Sequence, residues 1–229
     1  MHSRFVEVDG EKKTLEFGHE GVLYRQSFVM YDTLTDSKWN HSTGLAMAGK
    51  LAGAQLEILP SWVVRWEKWK TMHPNTKVLA RAGRGGFMGT YVADEQYSAF
   101  GLSVGQGPQA KLYPYDLLLK EEIVNDLVAP HAVVVVIDPA HKQAMAFSRT
   151  TGDKTLVFKS AKAKDAGKLI MRDEASGTLW DRFSGKAIEG PLKGKTILPL
   201  ISVPWLQGRW RQIYKDGIIY QGSPAARRP

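Results

Sequence analysis

The 229-residue chain contains no cysteine. Disulfide bonds, thiol catalysis and cysteine-ligated zinc or iron–sulfur sites are therefore excluded. Long apolar runs are also absent, because the longest, Ala132–Ile137, is far shorter than the ~20 residues that a membrane-spanning helix requires. The N-terminal stretch lacks the apolar segment of a secretory signal peptide, so the sequence as it stands predicts a cytoplasmic protein without a membrane partner.

Acidic residues are outnumbered by basic ones, and the formal net charge is +8. A basic surplus can indicate nucleic-acid binding, but here the basic residues are spread along the chain without an RNA-binding or zinc-finger motif. We therefore predict a basic surface with no nucleic-acid partner. The hydrophobic fraction of 43% is that of a folded globular protein, and the length allows one large domain or two small ones.

The most informative pattern is an internal repeat. Lys13–Trp69 aligns without a gap with Lys154–Trp210, which lies 141 positions later, and 15 of the 57 aligned residues are identical. Composition alone would give about 3 or 4 identities. The repeat therefore predicts a structural unit built twice, and the residues that the copies share are explained most simply by folding.

Each copy has the pattern of short strands joined by tight turns. Asp32 and Asp173 open four-residue spacers in which the carboxylate can accept hydrogen bonds from backbone N–H groups. Trp39 and Trp180 follow on the next predicted strand, where they should anchor the core of each copy. The best helix candidate is Pro60–Pro74. We predict a mainly β (β-rich α+β) fold: an internally duplicated antiparallel strand unit with one or two short helices.

Three segments are predicted along the chain: a first repeat copy at 1–82, a Gly-rich connecting loop at 83–107, and a second copy with its preceding strand pair at 108–229. No counterpart of residues 108–147 stands before the first copy. Either the first copy is truncated or the true start lies upstream of Met1. A truncated copy would have an unpaired sheet edge, which favours a homodimer.

Several stretches resemble the domain-of-unknown-function family 3179. They are an Asp-x6-Trp-x4-Gly-x-Ala pattern beginning at Asp32, the stretch "KLYPYDLLLKEEIVND", and the following "VVVVIDPAHKQAMAFSR". In that family two copies are usual, and a Cys-Pro-x-Cys strand turn that is absent here precedes the first. The family's His-Glu-Ile-Val-Asn-Asp stretch also departs, since Glu121–Asp126 begins with glutamate. The resemblance implies a shared fold and no established activity.

Asp138 and His141 lie three positions apart on a predicted turn between two strands. A carboxylate and an imidazole placed in this way can bind a divalent metal ion, calcium or zinc, and help to activate water. The alternative is an Asx-Pro turn with an exposed histidine.

Residues that differ between the copies are better functional candidates than those that repeat. His41 has Arg182 as its counterpart in the second copy. His19 and Glu20 lie between two glycines, on a turn that either presents ligands or faces solvent. We assign substrate binding to His19, Glu20 and Tyr24. If the copies pack about a pseudo-two-fold axis, these groups and the predicted metal pair would converge in one cleft.

Two classes of function remain open. The first is a small hydrolase that cleaves an ester or lactone-like bond in a small-molecule substrate through metal- or histidine-activated water. Its catalytic residues would be His41, Asp138 and His141, with the last two as metal ligands. The second is a non-catalytic β-rich binding module. A further alternative is a serine hydrolase using Ser103, because Gly101–Gly105 fits the Gly-x-Ser-x-Gly string, although the residues that follow cannot start a helix.

Overall fold

A computed structural model describes residues 2–25, 27–59, 66–77, 97–140, 143–162 and 169–223 of the chain. The chain divides into two units, Met1–Ser61 and Trp62–Pro229. The first unit contains the strands of the first repeat copy, and the second unit contains the end of that copy, with α1 (Trp66–Met72), and the whole second copy.

Six strands make up the described part of the first unit: β1 (Phe5–Val8), β2 (Glu11–Thr14), β3 (Phe17–Tyr24), β4 (Ser27–Asp32), β5 (Lys38–Asn40) and β6 (Ala46–Ala48). β1 and β2 form a two-stranded antiparallel sheet, and the other four form an antiparallel sheet of order β3-β4-β5-β6. Strand β3 therefore lies at an edge, where it pairs with β4 and with no other described strand.

The second unit contains α1 (Trp66–Met72), β7 (Phe100–Val104), β8 (Lys111–Pro114), α2 (Tyr115–Glu121), β9 (Ile123–Val128), β10 (His131–Asp138), β11 (Gln143–Ser148), β12 (Thr150–Thr151), β13 (Lys154–Thr155), β14 (Phe158–Ala161), β15 (Ile170–Asp173), β16 (Leu179–Asp181), β17 (Ala187–Glu189), β18 (Ser202–Leu206), α3 (Gln207–Ile213) and β19 (Ile218–Ile219). Its larger sheets have the orders β11-β10-β9, β14-β15-β16-β17 and β18-β7-β8-β19. All pairs are antiparallel except β8 with β19.

The four-stranded sheets β3–β6 and β14–β17 are the two copies of the repeat. Equivalent backbone groups bond in both: the Thr33 N–H donates to the Glu16 carbonyl at 2.9 Å, and the Glu174 N–H donates to the Val157 carbonyl at 2.9 Å. The register also shifts at the same place, between the third and fourth strands of each sheet. The prediction of a mainly β, internally duplicated fold with short helices is confirmed.

The conserved spacing of aspartate and tryptophan within the repeat is explained by a buried hydrogen bond. The Trp39 Nε1–H donates to Asp32 Oδ2 at 2.9 Å, and the Trp180 Nε1–H donates to Asp173 Oδ2 at 3.1 Å. All four side chains are fully buried. The carboxylate thus joins the hairpin turn to the strand that follows it.

The same carboxylates organise the hairpin turns. Asp32 Oδ1 accepts the Thr35 N–H at 2.6 Å, and Asp173 Oδ1 accepts the Ser176 N–H at 2.7 Å. Burial raises the pKa of both aspartates, but the hydrogen bonds from the tryptophan and the turn outweigh it and hold each pKa below 3.8. Each copy therefore folds around a charged carboxylate whose hydrogen bonds replace water.

Strand β10 explains the apolar run in the sequence, because both of its faces are buried. Val133, Val135 and Ile137 belong to a core with β7, β8 and α2. Val134 and Val136 face the other way, into the core of the second repeat copy with its Trp180. A strand covered on both sides reads as continuous rather than alternating hydrophobicity.

The predicted helix and the predicted strand-turn-strand agree with the structure where it describes them, whereas the predicted connecting loop differs in part. Helix α1 (Trp66–Met72) covers most of the described part of the candidate helix Pro60–Pro74 and ends before Pro74, as predicted. The predicted buried strand, turn at Asp138-Pro139 and second strand are β10, its turn and β11. Of the predicted connecting loop at 83–107, the described part contains strand β7. The α-helices within the described ranges have seven residues each, far short of a membrane span.

The buried carboxylate predicts a specific loss of stability for Asp173→Asn. The amide keeps the shape but replaces an acceptor oxygen with N–H donors beside the Trp180 Nε1–H and the Ser176 N–H, which both donate to Asp173. We therefore expect a loss of about 2–3 kcal/mol in the free energy of unfolding. Urea denaturation of the full chain measures it. The control is Asp153→Asn on the exposed β12–β13 turn, which should change the free energy by less than about 0.5 kcal/mol. Equal losses in the two variants would contradict a role for the carboxylate.

Candidate functional site

Ser103 is not placed as a catalytic nucleophile. It lies within β7, its exposed fraction is 3%, and its Oγ accepts a hydrogen bond from Trp210 Nε1–H at 2.8 Å. The chain continues into a three-residue 3₁₀ turn, Gly107–Gln109, instead of an α-helix. A nucleophile elbow needs an exposed serine between a strand and a helix. The Gly-x-Ser-x-Gly prediction is therefore wrong, and Ser103 is a core residue that pairs with a buried indole.

Asp138 ends strand β10, opposite Gln143 at the start of β11. It is almost fully buried, and its Oδ1 accepts the Ala140 N–H at 2.9 Å, which is an Asx turn. Its predicted partner His141 lies outside the described residues, so metal binding by this pair stays a prediction. Within the described ranges, no group of three or more metal-binding side chains comes together.

The predicted substrate-binding residues all lie on the edge strand β3. His19 Nδ1 accepts the Gly21 N–H at 3.0 Å, so a neutral His19 carries its proton on Nε2 and presents a donor. Glu20 is in contact with Lys38 Nζ at 2.9 Å, which holds its carboxylate against β5. Tyr24 is 44% exposed. The three side chains are thus exposed along the edge strand of the first unit.

His41 follows β5 and comes near His19 through a shared aromatic neighbour. The ring of Phe28 lies 4.9 Å from the His19 ring and 6.1 Å from the His41 ring, centroid to centroid, in edge-on geometry. Although His41 as a residue is exposed, partial burial of its ring lowers its pKa below 6.5. The structure therefore brings His19 and His41 together around one exposed phenylalanine. His41 belongs to the first unit and Asp138 to the second, and a cleft shared by both stays a prediction.

A third histidine, His2, belongs to the same group. Its Nε2 atom is buried and has no hydrogen-bond partner in the part of the chain that the structure describes. Burial lowers the pKa of His2 from 6.5 to about 4, and the nearby charge of His41 acts in the same direction. An imidazole with this pKa is neutral at physiological pH.

Sequence reasoning missed His2, although a signal for it was present. Ser3-Arg4 matches Ser148-Arg149, so His2 aligns with Phe147 of the second copy. The structure agrees, since each of these two residues forms an isolated β-bridge at the equivalent position of its copy. His2 becomes a candidate only when the alignment of the two copies is extended from Lys13 back to the start of the chain.

The three histidines occupy positions at which the second copy has residues other than histidine. His2, His19 and His41 correspond to Phe147, Ser160 and Arg182. We call His2, His19 and His41, together with Phe28, the histidine face.

In the second copy Phe147 and Arg182 are buried, and Ser160 is exposed but bonded to Arg182. Arg182 is only 2% exposed, and its Nη1 donates to Glu122 Oε2 at 2.8 Å while its Nη2 contacts Ser160 Oγ. Phe147 is buried in the core together with residues of β10 and β11. The Arg182–Glu122 pair therefore fastens strand β9 and the preceding turn to the second repeat copy.

Core residues shared by the copies show the same contrast. Phe158 and Met171 in the second copy are 1% and 0% exposed, because strands β10 and β11 cover them. Their counterparts in the first copy, Phe17 and Met30, are only partly buried. The first copy thus keeps the apolar residues of a covered sheet without an equivalent cover among the described residues.

Comparison with known proteins gives one positive finding. The family described as "Protein of unknown function (DUF3179)" matches the chain twice, at residues 3–99 and 89–229. The chain belongs to the DUF3179 family. Each match contains one repeat copy, so the DUF3179 assignment agrees with the duplication in the fold. Comparisons with curated proteins and with solved structures find no match.

Because of His2, we expect the stability of this DUF3179 protein to decrease at acidic pH. Because its folded pKa of about 4 lies below the unfolded 6.5, its contribution to stability is complete above pH 6.5 and is lost as pH falls to 4. We expect His2→Phe, which restores the residue of the second copy, to flatten this slope and to stabilise the fold by about 1–2 kcal/mol at pH 5.

Urea denaturation between pH 4 and pH 7.5 measures both effects. The matched control is His131→Ala, which removes an exposed histidine of the second unit. An unchanged slope in His2→Phe would show that His2 is not held neutral.

Proposed function

We propose that this DUF3179 protein is a non-catalytic β-rich binding module and that its binding surface is the histidine face with the adjoining edge of β3. The observation that carries the proposal is the contrast between the copies. Phe147 and Arg182 are buried in the second copy, and Arg182 is ion-paired with Glu122 and contacts Ser160. The equivalent positions in the first copy are histidines, two of which contact the exposed Phe28. A surface built in this way combines apolar area with hydrogen-bonding groups, as protein interfaces do.

The exposed apolar side chains of the first unit support this function. Besides Phe28, which is 41% exposed, Val22 and Leu23 of β3 are 53% and 55% exposed. Apolar residues grouped at one strand edge, next to polar ones, are typical of binding sites rather than of ordinary surface. On the outer edge of β3, backbone groups are left without a strand partner among the described residues, which favours an extended polypeptide as the ligand. A homodimer through this edge, as predicted from the sequence, would use the same groups.

A peptide array tests the binding module directly. We expect the full chain, at pH 7.5, to bind a defined subset of eight-residue peptides. His19→Ala and His41→Ala should each weaken these interactions by at least about fivefold, because each removes a hydrogen-bond donor and a contact with Phe28. The control His131→Ala should bind like the wild type. A wild type that binds no peptide, or losses equal to those of the control, would contradict the proposal.

A hydrolase is the second candidate, and the lowered pKa values of His2 and His41 favour it. A neutral imidazole can accept a proton from water during attack on an ester or lactone-like bond. Asp138 and His141 would hold the divalent metal ion, calcium or zinc, in the metal-assisted form of this reaction. In that form the Asp138 carboxylate oxygen and the His141 imidazole nitrogen would supply ligands, and the chemistry that the bound ion would supply is activation of water.

An ester and lactone panel, with and without chelator, separates the two candidates. A hydrolase should turn over at least one substrate, and His41→Ala should lower kcat by about 100-fold or more if His41 is the general base. A metal-dependent reaction should be lost with chelator and in His141→Ala. Absence of turnover in the wild type, together with peptide binding, would leave the binding module as the function.

A further inference from the structure

We infer that the open edge of the first unit binds an extended polypeptide segment with the pattern Glu-apolar-x-Asn, in the way that Glu122–Asn125 binds the second copy. The inference rests on the proposed binding function and names its ligand. Its support comes from the contacts that strand β9 and the residue before it make with the second copy.

Asn125 of β9 satisfies the backbone of the edge strand β14. Its Oδ1 accepts the Phe158 N–H at 2.8 Å, and its Nδ2 donates to the Phe158 carbonyl at 2.7 Å. One side-chain amide thus pairs with both outward polar groups of one residue. An edge strand closed in this way exposes fewer unpaired backbone groups.

Phe17 of β3 is the counterpart of Phe158, and its backbone points to the same side. The Thr33 N–H donates to the Glu16 carbonyl, which makes Glu16–Thr33 a hydrogen-bonded pair and the next pair, Phe17–Asp32, a non-hydrogen-bonded one. The N–H and carbonyl of Phe17 therefore face away from β4, toward the open edge. No described residue takes the place of Asn125 there.

The acidic position of the pattern comes from the Arg182–Glu122 pair. Glu122 lies three residues before Asn125, and its carboxylate accepts a hydrogen bond from Arg182 Nη1. In the first copy the equivalent of Arg182 is His41, an N–H donor, and the equivalent of Ser160 is His19, which presents Nε2–H. In the first copy, two imidazole N–H donors thus occupy the positions equivalent to Arg182, which binds the Glu122 carboxylate, and Ser160, which contacts Arg182.

The apolar position follows from Ile123. This side chain packs against the core of the second copy, whereas Val124 points into the other core of the second unit. A segment on the first copy would place its apolar side chain against Phe17 and Met30, which are only partly buried. Glutamate, apolar residue and asparagine therefore all face the first unit.

A second copy of this chain cannot supply the segment from its native fold. Its Glu122 is bonded to Arg182 and its Asn125 to Phe158. The ligand is therefore a segment outside the described fold, with the chemistry of Glu122–Asn125. Pairing of two β3 edges in a homodimer is a different occupant, and sedimentation velocity distinguishes it.

The probe is an acetylated and amidated peptide with the sequence of Glu121–Val128, EEIVNDLV, titrated into the isotope-labelled full chain at pH 7.5. We expect saturable NMR shifts at Phe17 and at the rings of His19 and His41, and none at the closed strands β14–β16. Peptides with Glu122→Gln or Asn125→Ala should bind at least about fivefold more weakly.

The matched protein variant is His41→Arg, which gives the first copy the residue of the second. Because a guanidinium binds a carboxylate more strongly than a neutral imidazole does, the peptide should bind at least about fivefold more tightly. His131→Ala should leave the affinity unchanged. Sedimentation velocity should show a monomer, or a dimer that the peptide dissociates.

Equal affinities for the three peptides, no gain in His41→Arg, or a dimer that the peptide does not dissociate would each overturn the inference. The proposed binding function is tested separately. If the array selects peptides without the Glu-apolar-x-Asn pattern and EEIVNDLV does not bind, this inference fails while the binding module stands.

Discussion

The hydrogen bond between a buried aspartate and a buried tryptophan is the interaction on which each copy of the repeat depends. It fixes the hairpin turn, because the same carboxylate accepts the N–H groups of the turn, and it fixes the tryptophan in the core. A charged group inside a protein is stable only when its hydrogen bonds are complete. This requirement explains why aspartate, tryptophan and their spacing persist in both copies while most other residues have diverged.

The duplicated fold could be predicted from the sequence because folding constraints act on both copies alike. Asp32, Trp39 and the strands around them repeat, and the structure confirms their roles. Functional residues were harder to predict, because a short sequence motif does not show whether its residues are buried. Ser103 fits a catalytic motif, yet it is buried within a sheet. His2 was missed because the alignment changes its offset at the start of the chain, where only two matching residues mark the register.

The differences between the copies are as informative as their similarity. The second copy shows how the repeat is completed: apolar strands cover its core, an amide closes its edge, and a carboxylate pairs with Arg182. The first copy retains the receiving positions but has histidines at the rim. Within one DUF3179 chain, the contacts of the closed copy are therefore the basis on which a ligand for the open copy is proposed.

Strand β10 has a consequence for how the second unit tolerates change. Since alternate residues of this single strand belong to two different cores, a distortion of the strand is transmitted to both, and these cores should unfold cooperatively. A substitution that shifts the backbone of β10 should therefore destabilise both cores. The first copy has a smaller core cluster among the described residues, so a distorted strand there disturbs one core rather than two.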